Sequence, residues 1–270
     1  TAPALNVTVS LKGFRSKYQL LDEIQFADHS TRELLDRVTP QQVLEILREG
    51  NRRFRTGQRL SRDFKRQVDS TAKEQNPLAS VLSCIDSRVP AELVFDLGLG
   101  DIFSVRVAGN VVGTKSLASI EYGVAATGLK LVLVLGHTRC GAVTSSIDML
   151  SSHQDVDRAT GGTHLSSIVN EIKPSVNPED LDRFPSLQAE EKDEIINHVA
   201  RLNVLRTVDQ IISRSELIRN AVERGQVMVV GALYDVRSGA IDFFTEPEET
   251  LVGGSVAAGT DRPGSPSGSA

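Results

Sequence analysis

The aliphatic run Leu131-Val132-Leu133-Val134-Leu135 constrains this chain more than any other stretch. Bounded by Gly128 and Gly136, it is short and apolar at every position, so it reads as a strand with no face to give to water. Such a strand needs helices on both sides, which is the situation of a parallel sheet. The flanking sequence agrees. Strands are expected over Ala79 to Cys84, Asp101 to Val107, Lys130 to Gly136 and Gln226 to Leu233, with helical patterns between them. The Ser238-Gly239 turn makes Ala240 to Phe244 an antiparallel edge strand. The fold expected is therefore α/β: a mostly parallel four-stranded sheet with an antiparallel edge strand, helices on both faces and an N-terminal helical arm.

Local signals set the helix ends. Thr39-Pro40-Gln41-Gln42 combines an N-cap, proline at the first helical position and a capping-box glutamine, and the helix it opens should end near Gly57. Further helices are expected from Pro90, over Thr114 to Thr127, and from Gly141 to Leu150. Beyond these, one carries Val204, Val208, Ile211 and Ile212 on one face, and another is capped by Ser215 and stopped at Gly225. Residues 1–38 read as an arm with one short helix around Thr31 to Arg37, and 39–251 as a single domain. Within that domain the polar 151–186 segment, with Gly161-Gly162, Pro174, Pro178 and Pro185, reads as a loop-rich insertion holding one short helix. The Gly-, Ser-, Ala- and Pro-rich 252–270 segment reads as disordered.

A formal net charge of −5 argues against a nucleic-acid-binding protein. One basic stretch, from Arg48 through Arg52, Arg53, Arg55, Arg59 and Arg62 to Arg66, is punctuated by Phe54, Leu60 and Phe64 and reads as a solvated or subunit-contacting helix. No apolar run approaches the ~20 residues of a membrane span, and no signal-peptide pattern opens the chain, so a cytoplasmic location is expected. Because the sequence starts at Thr1, a tether to a membrane transporter outside this stretch is left open.

Two cysteines are too few for a disulfide framework. Their context is informative. Cys84, followed by Asp86 and Arg88, leaves one expected strand tip, and His137 and Cys140 leave another that should lie beside it. Thiolate and imidazole suit zinc, and three protein ligands with one position left for water or substrate is the usual catalytic arrangement. Asp86 as a fourth ligand would close the site. His29, His153, His164 and His198 lack ligand spacing.

Cys84-Ile85-Asp86-Ser87-Arg88 and His137-Thr138-Arg139-Cys140 resemble the Cys-x-Asp-x-Arg and His-x-x-Cys motifs of the β-class carbonic anhydrases. Segments similar to that family also include Gly50 to Phe54, Gly100 to Arg106, Ala108-Gly109-Asn110, Ser119 to Tyr122 and Val229 to Asp235, so the likeness covers about Thr39 to Phe244. The resemblance implies one zinc per subunit, on Cys84, His137 and Cys140, and reversible hydration of CO2 to bicarbonate and a proton by hydroxide formed on the metal. It implies that Asp86 orients the hydroxide and that Arg88 holds Asp86, or that Asp86 swings onto the zinc in a closed state. It also implies a homodimer or higher even oligomer in which the Thr39 to Gly57 helix embraces the partner. Two other functions fit the same resemblance: a catalytically idle bicarbonate-sensing or assembly module attached to an anion transporter, and a CS2 or COS hydrolase.

Overall fold

A computed structural model of the chain describes residues 30–153 and 155–245. Nothing is stated of the others, so the expectations for 1–29 and 246–270, the disordered tail included, lie outside the described residues. Four strands run parallel: β1 (Ala79–Ser83), β2 (Ile102–Arg106), β3 (Leu131–His137) and β4 (Met228–Tyr234). A fifth, β5 (Ile241–Phe243), pairs antiparallel with β4, giving the order β2-β1-β3-β4-β5. The four parallel strands and the antiparallel edge are thus those expected.

Register explains the aliphatic run. Leu131, Leu133 and Leu135 face a core with Val81, Phe95 and Ala232, while Val132 and Val134 face the opposite one with Leu82, Val204 and Ile211. The first core is covered by α1 (Arg32–Arg37) and α2 (Pro40–Thr56). The second is covered by α5 (Thr114–Tyr122), continued by a π-helical turn over Gly123–Thr127, together with α10 (Ala189–Arg214) and α11 (Glu216–Glu223). Between α2 and α5 lie α3 (Phe64–Thr71) and the single turn α4 (Ala91–Val94). No helix among the described residues is long and apolar enough to cross a membrane.

The capping box at Thr39 forms as the sequence predicts: the Thr39 hydroxyl accepts from Gln42 N and the Gln42 side chain accepts from Thr39 N. Gly57 ends α2 in the left-handed conformation at φ 73°. Helix α1 does not project as an arm. Leu35 and Val38 are buried in the sheet's own core, and Arg32 Nη1 donates to Thr127 O at 2.7 Å.

Helix α2 sits so close to α4 that a Cβ on Gly50 would lie 1.9 Å from the Phe95 carbonyl oxygen. Backbone cannot yield as a side-chain tip does, so Gly50→Ala should cost about 1–3 kcal/mol. Thermal unfolding checks this; an unchanged midpoint would mean that the helices do not touch.

Two expectations need correction. The 151–186 segment holds not one short helix but three: α7 (Val156–Thr160), α8 (Leu165–Ile172) and α9 (Pro178–Arg183), with 3-10 turns over Lys173–Ser175 and Phe184–Ser186. Each proline falls at the start of its helix or turn, where its missing N–H costs nothing. The basic stretch is not wholly solvated either. Arg53 and Arg62 turn inward onto Asp96, whose carboxylate accepts from Arg53 Nε at 2.6 Å, Arg62 Nη1 at 3.0 Å and Leu60 N at 3.2 Å. Asp96→Asn keeps the shape and leaves buried guanidinium charge unpaired, so about 3–5 kcal/mol of stability should be lost in chemical denaturation. A loss under about 1 kcal/mol, the value of a surface pair, would contradict the assignment.

Candidate metal centre

Parallel pairing brings the chemistry together. Ser83 pairs with Leu135, so Cys84, the residue after β1, and His137, the last residue of β3, leave adjacent strand tips. Cys140 is the N-cap of α6 (Gly141–Ser151). Between His137 and Cys140 the chain must turn back on itself, and Arg139 does this at φ 54°, a conformation costly for a bulky residue. Helix α10 holds the turn: Asn197 Oδ1 accepts from Arg139 N at 2.8 Å, and Asp193 pairs with the guanidinium.

The ligand atoms of Cys84, His137 and Cys140 all lie within 4.8 Å of one another, and all three residues are buried. The two sulfurs stand 4.0 Å apart, close to the roughly 3.8 Å required of two thiolates each about 2.3 Å from one tetrahedral zinc. His137 Nδ1 lies 2.9 Å from the Thr138 carbonyl oxygen, which can only accept, so Nδ1 carries the hydrogen and Nε2 presents its lone pair. That Nε2 is buried and has no hydrogen-bond partner in the protein. An orphaned imidazole nitrogen facing two thiols fits a soft or borderline metal, and zinc in particular.

Electrostatics prepare the sulfurs. Cys84 is pulled well below the ordinary thiol range, first by its hydrogen bond with Cys140 and further by the backbone N–H groups of Asp86 and Gly109, against the opposing effect of burial. The Cys140 thiol is pushed up by the same bond to Cys84, by burial and by the neighbouring negative charge. The Gly109 N–H donates to Cys84 Sγ at 3.4 Å, and Asn203 of α10 fixes that loop by donating to Gly109 O at 2.7 Å.

Asp86 lies beside the triad, its Oδ2 3.9 Å from His137 Nε2. Its oxygens are engaged by Arg88: Oδ1 accepts from Arg88 N at 2.9 Å and Nε at 3.0 Å, and Oδ2 from Nη2 at 2.8 Å. The Arg88 hydrogen bonds hold the Asp86 carboxyl down at about 2. Arg106 supports the backbone behind it, donating to Cys84 O at 3.1 Å and Asp86 O at 2.6 Å. All five residues expected to form the site are therefore gathered at one end of the sheet.

Gly109, Asn203 and Asn197 were not singled out as site residues by the sequence. Asn203 could have been noticed as a polar residue one position before Val204 on an apolar helix face. A cavity of about 430 Å³ opens at Cys84 and Asp86, walled by Ala108, Ala142, Met149, Leu165 and Ile168. Two of these residues come from α8, so the segment read as an insertion builds the approach to the centre.

Fold and site together define a class: an α/β protein with a Cys2His cluster at the strand tips of a parallel sheet and an arginine-held carboxylate beside it. The family model for carbonic anhydrase matches residues 79–241. The chain is 35% identical over 208 residues to a carbonic anhydrase of Mycolicibacterium smegmatis, covering 75% of this chain and 92% of that one. It is 34% identical over 202 residues to carbonic anhydrase 2 of Mycobacterium tuberculosis, covering 74% and 90%. Among solved structures, a β-carbonic anhydrase of Aspergillus fumigatus superposes with a TM-score of 0.56 at 27% identity, covering 69% of this chain and 85% of that one. The chain belongs to the β class of the carbonic anhydrase family.

Proposed function

We propose that this protein hydrates carbon dioxide reversibly to bicarbonate and a proton, with one zinc per subunit held by Cys84, His137 and Cys140. The observation that carries the reading is the buried triad, with its atoms within 4.8 Å of one another and a partnerless imidazole nitrogen. Zinc held there would lower the pKa of a water in its fourth position to about 7, supplying hydroxide at neutral pH.

The remaining work falls to side chains of the chain. Asp86 is committed to Arg88 through both oxygens, so it acts as an acceptor that aims the nucleophile and not as a ligand. Held at about 2, it stays ionised throughout the neutral range and accepts a hydrogen bond without taking the proton, which leaves to solvent. Carbon dioxide has no donor and no net dipole. The apolar walls formed by Ala142, Met149 and Ile168 suit its entry and give water few partners.

We place the active protein in the cytoplasm as a homodimer or higher even oligomer. A fungal β-carbonic anhydrase with the same fold, that of Sordaria macrospora, is described as tetrameric, with a TM-score of 0.55 at 22% identity. Exposed Phe64, Val68 and Leu93 give a second copy apolar surface to cover. Stopped-flow CO2 hydration by the zinc-loaded protein tests the activity. A rate above buffer is expected between about pH 7 and 9, the range set by a bound water of pKa near 7. A buffer-level rate throughout would leave a bicarbonate-binding module, and turnover of COS or CS2 alone would reassign the substrate.

A further inference from the structure

A second cleft, away from the metal centre, contains polar groups that the fold does not use. It has a volume of about 310 Å³ and lies between the 3-10 turn Lys173–Ser175 and the C-terminal half of α10, lined by Pro174, Ser175, Leu202, Arg206, Asp209 and Gln210 among others. Two side-chain atoms of its lining are buried and partnerless: Ser175 Oγ and Arg206 Nε. Ser175 is only 5% exposed. Arg206 makes no hydrogen bond or ion pair among the described residues, although Asp209 is one turn away on the same helix.

A buried hydroxyl and a guanidinium N–H left without acceptors each cost free energy unless something accepts from them. A planar guanidinium and a hydroxyl lining one cleft are donor chemistry for an oxyanion. The acidic neighbour narrows the class. Asp209 lines the same cleft and would repel an anion with no proton to offer, but it accepts a hydrogen bond from one that keeps an O–H. Gln210 already donates its Nε2 to Glu171 at 3.2 Å, which leaves its carbonyl oxygen as a second acceptor.

We propose that this cleft is a binding site for a small oxyanion that carries its own proton, of the bicarbonate or hydrogen phosphate type, with Arg206 and Ser175 donating and Asp209 accepting. None of the metal-centre residues lines it, so the site stands or falls independently of the reaction assigned above.

The test uses the full zinc-loaded chain and follows the Arg206 Nε–H resonance, assigned by its disappearance in Arg206→Gln, as inorganic phosphate, bicarbonate and sulfate are added separately near neutral pH, where phosphate and bicarbonate both keep an O–H and bicarbonate is not lost as CO2. Saturable movement is expected with phosphate, bicarbonate or both, and binding about tenfold weaker with sulfate, the loss of one charged hydrogen bond. Ser175→Ala should weaken the response to the protonated anions by about tenfold for the same reason. Arg206→Gln should hydrate CO2 at the unaltered rate, which separates this site from anion binding at the metal. The proposal is overturned if the resonance is unmoved by phosphate and bicarbonate, if sulfate binds as tightly as they do, or if Ser175→Ala binds as the unaltered protein does.

Discussion

Cys140→Ser is expected to lose zinc and CO2 hydration together. The serine oxygen is a harder and weaker donor than thiolate toward zinc, and the position is buried, so its hydroxyl would have to give up solvent to take the thiolate's place. Binding of zinc to sites of this chemistry is worth about 10–16 kcal/mol in small structural domains, so loss of one ligand in three should bring occupancy close to zero at micromolar metal. Stability should fall as well. Cys84 and Cys140 belong to the core that also contains Val111, Ile147, Ile172 and Val199, and without the ion that core contains an imidazole nitrogen and polar sulfur and oxygen groups with no partner worth their desolvation. Elemental analysis of the purified variant and its thermal midpoint check both halves. Stoichiometric zinc in Cys140→Ser would contradict the ligand assignment.

Asp86→Asn should keep its zinc and lose turnover. The carboxylate contacts Arg88 through both oxygens and stands beside the triad without belonging to it. An amide of the same shape keeps one acceptor, but it turns a donor toward Arg88 and loses the charge that fixes the pair. Removal of such outer partners of a metal site typically costs 10- to 100-fold, so kcat/KM for hydration should fall by about that factor at unchanged zinc content. The residual pH profile should keep its neutral limb, since Asp86 is ionised far below that range. Loss of zinc from Asp86→Asn would instead make Asp86 a ligand, and the arrangement with Arg88 a secondary state.

How far the sequence could be read depended on how far apart the interacting residues lie. The two central strands β1 and β3 were legible because burial on both faces leaves a continuous apolar signature, as in Leu131 to Leu135. The clustering of Cys84, His137 and Cys140 was legible because neighbouring strand tips need only the order of strands to be foreseen. Helix α3 was not read from the sequence, since its apolar residues, Phe64 and Val68 one turn apart, are both exposed and Gln67 is the one residue it buries. Of the three short helices of 151–186, α9 was hidden behind Pro178, which proved to be its first residue, while Pro174 and Pro185 open 3-10 turns and α7 and α8 are too short to show a sustained period. Ile168, Val169 and Ile172 already shared a helical face there. Arg53 could not be distinguished from its exposed neighbours because what draws it inward is Asp96, 43 residues away. The same holds for Asn203 and Gly109, whose link to Cys84 exists only once α10 lies across the sheet.

If Cys84, His137 and Cys140 hold a zinc with one position left for solvent, the metal's own environment must show it. Zinc-edge X-ray absorption of the metal-loaded protein tests it most directly. Two sulfur scatterers at about 2.3 Å and two nitrogen or oxygen scatterers at about 2.0–2.1 Å are predicted, with the ratio of two to two unchanged in Asp86→Asn. A shell without sulfur would remove the two cysteines as ligands, and a light-atom scatterer lost in Asp86→Asn would make Asp86 a ligand.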